Sequence, residues 1–304
     1  MSPQPEQCTP RAGLWGALGA FGLWGLLPLY WKLVQQVPPF EILCHRIAWS
    51  VVVLLPLVLL GGRLPEVRAA VASRRSLLTI IGSSLLIGGN WFLYIWAVNS
   101  NMVLETSLGY YMTPLVNALL GALVLGERPS RVQLVAIAIA ATGVLSMLAS
   151  YGRLPWVALV LAVSFSFYGL LRKLVKVESI PGLFLETLLL APVAVGYLGW
   201  LAWQGGGALG HQDRLTDLLL VGAGIATSTP LVCFAFAARR LRLTTLGIMQ
   251  YIAPSIAFLL GAFVFREQVT PAHMLTFGCI WTALGLYTAE GLRAARSAHR
   301  HAVR

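Results

Sequence analysis

The sequence predicts an all-α integral membrane protein of ten transmembrane helices, arranged as two inverted five-helix repeats with both termini in the cytoplasm. Three observations support this fold class: long apolar stretches without charge, an uneven distribution of Lys and Arg between alternate loops, and an internal repeat. Of the 304 residues, 58% are hydrophobic and only 11% are charged, and the mean hydropathy is +0.77. A soluble domain carries about 25% charged residues, so an ordinary globular domain is excluded.

Ten apolar segments are long enough to cross a bilayer as helices, which takes about 20 residues each. Nine of them contain no charged residue along their whole length, and they begin at residues 12, 76, 106, 132, 154, 187, 218, 243 and 268. The tenth, from about Ile42 to Gly61, has a similar length but contains His45 and Arg46. Together the ten segments account for most of the chain and leave no polar domain.

The basic residues indicate how these helices are oriented, because Lys and Arg collect in short cytoplasmic loops. With the N-terminus inside, the cytoplasmic loops and tails hold 17 of the 22 Lys and Arg residues, and the outer loops hold four. The remaining one is Arg46, within the membrane. Orientation and contact with anionic membrane lipids therefore explain the net charge of +11, and no nucleic-acid partner is expected.

An internal repeat emerges when the second half of the chain is aligned with the first. Residues 110–127 then align with residues 250–267, and eight positions are identical, including a Tyr, a Pro and a Gly. The last identical pair is Glu127 and Glu267, for which helix capping or hydrogen bonding to a loop is expected. An odd number of helices per half inverts the second half, which is the architecture of many secondary transporters. The chain divides into a cytoplasmic tail, two five-helix halves and a basic cytoplasmic tail: residues 1–11, 12–149, 150–290 and 291–304.

Six segments carry polar and aromatic residues in a distinctive order: Leu23–Lys32, Glu41–Ser50, Asn90–Gly121, Phe167–Lys173, Leu185–Pro192 and Thr245–Gly261. In order, spacing and polar residues they resemble the RarD group of EamA-type transporters, in the drug/metabolite transporter superfamily. The resemblance covers nearly the whole chain. It implies a multi-pass permease of the bacterial inner membrane with two EamA repeats. It further implies export of small metabolites, amino acids or amphipathic drugs, as in proteins named for chloramphenicol sensitivity, without supplying the solute.

Interruptions of paired helices by Gly or Pro indicate where a solute binds in transporters built from inverted repeats. Gly88–Gly89–Asn90 and the segment that aligns with it in the second half, Ser228–Thr229–Pro230, predict breaks in the third and eighth spans. Pro114 and Pro254 are paired in the fourth and ninth spans. The alternative is that these residues serve packing alone, because membrane helices tolerate both Gly and Pro.

Aromatic and amide side chains on these helices are the predicted lining of a solute cavity, since Tyr and Trp offer a flat apolar face with a hydrogen-bond donor at its edge. The alternative is the interfacial belt of Trp and Tyr that occurs in any membrane protein. The candidate substrate-binding residues are Trp24, Asn90, Trp91, Tyr94, Tyr110, Tyr111, Asn117, Tyr168, Gln250 and Tyr251.

Four ionisable residues within or near the membrane are candidates for charge recognition or coupling: His45, Arg46, Glu105 and Glu186. A charged group there is costly unless it is paired. Arg46 is therefore either a counter-charge for an anionic solute or a structural group that pairs with Glu105 or reaches the outer interface. His45 either couples transport to protons or is simply hydrogen-bonded. Glu186 mirrors His45 and Arg46 in the second half.

Enzymatic chemistry is not expected, because the ionisable residues form no catalytic pattern. The only aspartates, Asp213 and Asp217, lie in one outer loop, the five histidines form no H-E-x-x-H motif, and no phosphate-binding loop is present. The four cysteines lack ligand spacing, so neither a metal nor another cofactor is expected. The sequence predicts a secondary permease that moves a small-molecule solute by alternating access. A non-transporting membrane scaffold or sensor is the alternative, and a homodimer stays open.

Overall fold

The chain folds into helices throughout the part that a computed structural model describes, which comprises residues 10–124, 130–151, 154–175, 177–238, 240–241 and 249–302. Eleven helices follow one another in these residues, and the tenth continues into a π-helical turn, Leu260–Val264. Their bounds are α1 (Pro10–Leu33), α2 (Pro39–Leu60), α3 (Leu64–Ala72), α4 (Arg74–Asn99), α5 (Val103–Val124), α6 (Arg131–Tyr151), α7 (Trp156–Leu174), α8 (Ser179–Trp203), α9 (Arg214–Ala238), α10 (Ile252–Leu259) and α11 (Pro271–Ala302).

Five of these helices, α1, α2, α4, α8 and α9, are long and apolar enough to cross a membrane. Shorter apolar stretches lie in α6, in α7 and in α10 with its π-helical turn. The outer surface carries large apolar side chains such as Leu60, Leu123 and Trp203, which are exposed. Such a surface is unfavourable in water but is expected against lipid. The fold is that of a multi-pass membrane protein.

The short helix α3 is an element that the sequence did not predict. It occupies the basic segment between the second and third apolar stretches, and it begins with Leu64 and Pro65. Proline fits the first turn of a helix because its missing N–H would have no intrahelical acceptor there. Val67 and Ala70 are buried, so α3 packs on the ends of α4 and α8.

The two halves of the chain exchange packing partners in a regular way, which means that the first helix of each half packs on the third and fourth predicted spans of the other half. Helix α1 packs on α9 and α10, and correspondingly α7 packs on α4 and α5. Helix α2 packs on α9, as α8 packs on α4. Three further pairs join equivalent helices of the two halves: α2 with α8, α5 with α10, and α6 with α11.

Glycine allows two of these helix pairs to approach closely. A Cβ at Gly224 in α9 would lie 2.4 Å from the backbone carbon of Trp49 in α2. A Cβ at Gly109 in α5 would lie 2.8 Å from the carbonyl oxygen of Ala158 in α7. Small residues at helix contacts are typical of membrane bundles, where close backbone packing replaces the hydrophobic effect.

The predicted breaks at Gly88–Gly89–Asn90 and Ser228–Thr229–Pro230 are wrong, since α4 and α9 run without interruption through both segments. A glycine costs only about 1 kcal/mol within a helix, and neighbouring groups in a membrane bundle can replace the one hydrogen bond that a proline removes. Pro114 likewise lies inside the continuous helix α5. Pro254 lies in the first turn of α10, just after a turn at Gln250 and Tyr251, in a position where backbone N–H groups have no intrahelical acceptor.

The capping role expected of the repeated glutamates is confirmed for Glu267. Its two carboxylate oxygens accept hydrogen bonds from the backbone N–H groups of Val103 (2.6 Å) and Leu104 (2.8 Å), at the start of α5. A carboxylate at a helix N-terminus satisfies free donors and interacts favourably with the helix dipole. Glu127 lies outside the described residues.

Candidate functional site

Arg46 is a buried cation in the first half of α2. Its residue is only 4% exposed, and its guanidinium carbon lies 4.1 Å from the centre of the Trp91 ring and 5.2 Å from that of Trp31. These cation–π contacts join α2 to α4 and α1. Arg46 lies seven residues after Pro39, the first residue of α2, which places it about 10 Å along the helix axis.

Most hydrogen-bond donors of Arg46 lack an acceptor. Nε and Nη1 of its guanidinium are buried without a partner among the described residues, and so is the indole Nε1 of Trp31. No ion pair in the described part of the chain joins Arg46 to Glu105, the partner considered from the sequence. Burial of a cation with unused donors costs free energy in a membrane protein, and residues buried in this way commonly have a functional role.

A row of four aromatic rings runs from the neighbourhood of Trp91 through α4, α5 and α7. Tyr94 contacts Tyr110 with ring centres 5.7 Å apart, Tyr110 contacts Phe165 at 6.1 Å, and Phe165 contacts Tyr168 at 5.8 Å. We call Tyr94, Tyr110, Phe165 and Tyr168 the aromatic row. Phe165 was not among the site residues predicted from the sequence. It precedes Tyr168 by three residues and therefore shares its helix face, which was the available signal.

Glu186 on α8 lies at the far end of the aromatic row. The residue has no exposed surface, and its carboxylate accepts hydrogen bonds from Ser83 Oγ (2.8 Å) and Tyr168 Oη (3.1 Å). Arg172 Nε lies 3.8 Å from the same carboxylate. Glu186 aligns with Arg46 in the register of the repeat, and the helices that carry the two residues pack on each other.

Asn90 connects α4 to α7 beside this cluster. Its side-chain amide donates to the Leu161 carbonyl oxygen (3.1 Å) and to Ser164 Oγ (2.9 Å), while its Oδ1 is buried without a partner among the described residues. The amide thus fixes the α4 segment that also carries Trp91.

His45 faces a separate small cavity near the start of α2. The cavity has a volume of about 180 Å³ and is lined in part by Glu41, Trp49 and Gly207. His45 Nε2 lies 4.0 Å from Glu41 Oε1, and Glu41 also accepts a hydrogen bond from the backbone N–H of Ala208. Neither ring nitrogen of His45 has a hydrogen-bond partner in the described part of the chain. Glu41 was not among the site residues predicted from the sequence. It precedes His45 by four residues, which places both side chains on one helix face and was the available signal.

Tyr111 and Tyr251 lie in a second location, away from Arg46. Their rings stack with centres 6.3 Å apart, and Tyr111 Oη lies 2.5 Å from Ser255 Oγ. They line a cleft of about 660 Å³ between α5, α10 and α11, together with Phe258 and Trp281. The cleft is apolar and open at the surface of the bundle.

The remaining predicted site residues are dispersed. Trp24 packs its ring against Phe21 and Phe234, at distances between ring centres of 5.6 and 5.8 Å. Asn117 and Gln250 are exposed. The structure thus brings together Asn90, Trp91, Tyr94, Tyr110 and Tyr168 with Arg46 and Glu186, and it places the other aromatic and amide candidates elsewhere. Glu105 is buried in the first turn of α5.

Polar contacts join neighbouring elements at both ends of the bundle. At one end, Lys32 Nζ donates to Asn101 Oδ1 at 2.6 Å, which joins α1 to the loop before α5. At the other, Arg63 pairs with Glu178 (2.8 Å) and Glu66 (2.6 Å), which joins α3 to the start of α8. The hydrogen bonds from Arg63 to these two carboxylates raise the pKa of its guanidinium above the ordinary value.

Among the described residues, no group of three His, Cys, Asp or Glu side chains could hold a metal ion.

Long apolar helices packed around a buried arginine and a buried glutamate are typical of membrane transporters. The model of the EamA-like transporter family matches residues 11–149. An uncharacterized transporter of Vibrio cholerae is 45% identical over 97% of this chain and 98% of its own, and protein RarD of Escherichia coli is 43% identical over 94% and 97%. The chain therefore belongs to the EamA-like transporter family, as a RarD-type member. It is a multi-pass protein of the bacterial inner membrane.

Two more distant comparisons agree with this assignment. The chloramphenicol-sensitive protein RarD of Pseudomonas aeruginosa is 30% identical over 94% of this chain and 97% of its own. A solved crystal structure of a protein with 20% sequence identity superposes with a TM-score of 0.59 and covers 91% of this chain and 97% of that one. This last likeness concerns the fold alone.

Proposed function

We propose that this protein is a secondary transporter in which ten membrane spans form two inverted five-helix repeats around the Arg46 cluster. In this proposal every helix except α3 forms a span or part of one, namely α1, α2 and α4 to α11, with both termini in the cytoplasm and α3 on the cytoplasmic side. The exchange of packing partners between the two halves supports it, because two equivalent halves related by a twofold axis pack in this way.

The observation that carries the proposal is the placement of Arg46 and Glu186. The two buried charges occupy equivalent positions of the repeat on α2 and α8, and these helices pack on each other where the halves meet. Transporters with inverted repeats bind their solute near the midplane at this interface. The aromatic row between the two charges supplies flat apolar surface for the body of a solute.

The proposed mechanism is alternating access, and one polar contact at each end of the bundle supports it. The contact of Lys32 with Asn101 and the pairing of Arg63 with Glu178 are both formed in this conformation. Opening toward one side of the membrane requires one of these contacts to break while the other holds. Rocking of one half against the other achieves this alternation around a fixed site.

The proposed cargo is a small molecule such as a metabolite, an amino acid or an amphipathic drug, and the proposed direction is export. The name of the Pseudomonas aeruginosa relative, which refers to chloramphenicol sensitivity, supports the inclusion of amphipathic drugs. Membrane lipids are the expected surroundings of the exposed apolar side chains. No cofactor, metal or nucleic acid takes part, and the transporter is not an enzyme.

Solute flux in proteoliposomes tests the proposal. The purified protein is reconstituted, and the exchange of labelled amino acids, aromatic metabolites and chloramphenicol is measured. Replacement of the buried Trp91 by Ala is expected to lower the flux about tenfold or more, because the guanidinium of Arg46 loses its nearest ring. The matched control is Trp203→Ala, since Trp203 is exposed at the end of α8 and flux should stay unchanged. Absence of flux for every solute in a folded protein, with a stable protein partner recovered instead, would favour a scaffold.

A further inference from the structure

We propose that the transported solute is an organic carboxylate whose carboxylate group binds the Arg46 guanidinium between Trp31 and Trp91. The proposal rests on the proposed transport function and names the substrate class of the same site. Three features of the cluster carry it: the unused hydrogen-bond donors, the absence of a protein counter-charge among the described residues, and the rings that surround the guanidinium.

The unused polar atoms around the guanidinium are donors. Nε and Nη1 of Arg46 and Nε1 of Trp31 are buried without an acceptor among the described residues. A group that satisfies them must accept hydrogen bonds, because neither a guanidinium nor an indole N–H can accept one. A carboxylate fits this set well, since its two oxygens match two N–H groups of a guanidinium side by side.

Two of the buried carboxylates, Glu186 and Glu41, have other partners. Glu186 is bonded to Ser83 and Tyr168 and lies beside Arg172. Glu41 accepts from Ala208 and faces His45. No ion pair in the described part of the chain involves Arg46. The positive charge of the guanidinium is thus left for a group that the solute brings.

The rings around Arg46 indicate what the carboxylate is attached to. Trp31 and Trp91 both contact the guanidinium, and the aromatic row begins one helical turn after Trp91, at Tyr94. A small inorganic anion would leave these apolar faces without a partner. An organic acid with a flat or apolar body places its carboxylate on Arg46 and its body along the row.

Binding of matched acids and amides tests the proposal. The probes are phenylacetate with phenylacetamide, and indole-3-acetate with indole-3-acetamide, at neutral pH with the full-length protein in lipid nanodiscs. Binding is measured by thermal stability, since a ligand of the folded state raises it, and with the phenyl pair also by intrinsic tryptophan fluorescence, since two Trp rings flank Arg46. Each acid is expected to bind about tenfold or more tightly than its amide, because only the acid brings a negative charge and two oxygens that accept hydrogen bonds side by side from the guanidinium.

Variants of two arginines locate the effect. Arg46→Gln is expected to remove the preference for acids, so that each acid and its amide bind within about twofold of each other. Arg131→Gln removes an exposed arginine at the start of α6 and should leave the preference unchanged. Arg46→Lys keeps the charge without the planar fork, and an intermediate preference is expected. If Arg46→Gln fails to fold, the comparison of acids with amides in the unmodified protein and in Arg46→Lys decides.

Three results would overturn the carboxylate proposal: equal binding of acids and amides, no binding of any acid, or a preference that survives in Arg46→Gln. Flux measurements separate this failure from failure of the transport function. If proteoliposomes carry neutral or cationic solutes but no carboxylates, the substrate class is wrong and the transport function stands. If no solute of any charge is carried, the transport function itself is wrong.

Discussion

The guanidinium carbon of Arg46 lies 4.1 Å from the centre of the Trp91 ring, yet two of the guanidinium nitrogens have no acceptor among the described residues. The ring holds the cation in place without satisfying its hydrogen-bonding capacity. A desolvated cation–π contact contributes about 2 kcal/mol, whereas each buried donor left without an acceptor costs about 1 to 3 kcal/mol. On these figures the unused donors cost at least as much free energy as the ring contact contributes, which supports the proposal that a solute occupies the cluster.

Replacement of Arg46 by Met is expected to stabilise the empty protein while it abolishes transport. Methionine removes the charge and its unused donors but still packs on the Trp91 and Trp31 rings through its sulfur. The free energy of unfolding should rise by about 1 kcal/mol, as is common when buried polar groups are replaced by apolar ones of similar size. Reversible unfolding in mixed micelles measures the change, and a clear loss of stability would instead identify Arg46 as a structural group.

Removal of the Glu186 carboxylate should have the opposite effect on stability. Glu186→Ala leaves Ser83, Tyr168 and the adjacent Arg172 without their shared acceptor in a fully buried place. The expected loss is about 3 kcal/mol, the scale for breaking a buried charged contact. Glu186→Gln retains an amide oxygen for two of these contacts and should lose only about 1 kcal/mol. Equal losses in the two variants would contradict the role of the hydrogen bonds.

Hydropathy and charge in the sequence were sufficient to predict an all-helical membrane protein, whereas its family was indicated by the resemblance of six segments of polar and aromatic residues. The buried charges at positions 46 and 186 were also predictable, because a charged residue within an apolar segment stands out by itself. The pairing of Arg46 with the rings of Trp31 and Trp91 was not, since it depends on which faces of α1, α2 and α4 meet. Trp31 sits beside Lys32 near the end of α1, where it resembles a residue of the interfacial aromatic belt.

The predicted helix breaks and the single aromatic cavity show a different limit of sequence reasoning. Gly and Pro weaken a helix by amounts that surrounding helices can offset, so their presence in α4 and α9 does not decide the local conformation. Tyr110 and Tyr111 are adjacent in sequence but point to different neighbours. The first joins the aromatic row, and the second stacks on Tyr251 beside the lateral cleft. A one-residue step on a helix turns the side chain by about 100°, which separates the two sites.

A methyl group added at Gly224 should disrupt the contact between α9 and α2. The Cβ would lie 2.4 Å from the backbone carbon of Trp49 and 2.8 Å from the backbone nitrogen of Ser50, and backbone atoms cannot rotate away. We expect Gly224→Ala to lower the free energy of unfolding by about 2 kcal/mol, the usual scale of overpacking. The matched control is Gly196→Ala in α8, where no atom lies within 4 Å of the added carbon. A gain of a few tenths of a kcal/mol is expected there, because Ala favours helix more than Gly. Equal effects of the two substitutions would refute the close approach.

Loss of the cap at the start of α5 should weaken the connection between the two halves without touching the Arg46 cluster. Glu267 accepts hydrogen bonds from two backbone N–H groups of α5, and it lies in the segment after the π-helical turn, so it joins the second half of the chain to the first. Glu267→Ala is expected to lower the free energy of unfolding by about 1 kcal/mol, and Glu267→Gln by less, because a single amide oxygen replaces two carboxylate oxygens. The substrate affinity of the solubilised protein should stay within about twofold of the unmodified value, because the site residues keep their contacts. Unfolding in mixed micelles and equilibrium binding of the same solute measure the two quantities side by side. A loss of affinity without a loss of stability would mean that Glu267 acts on the site and not as a cap.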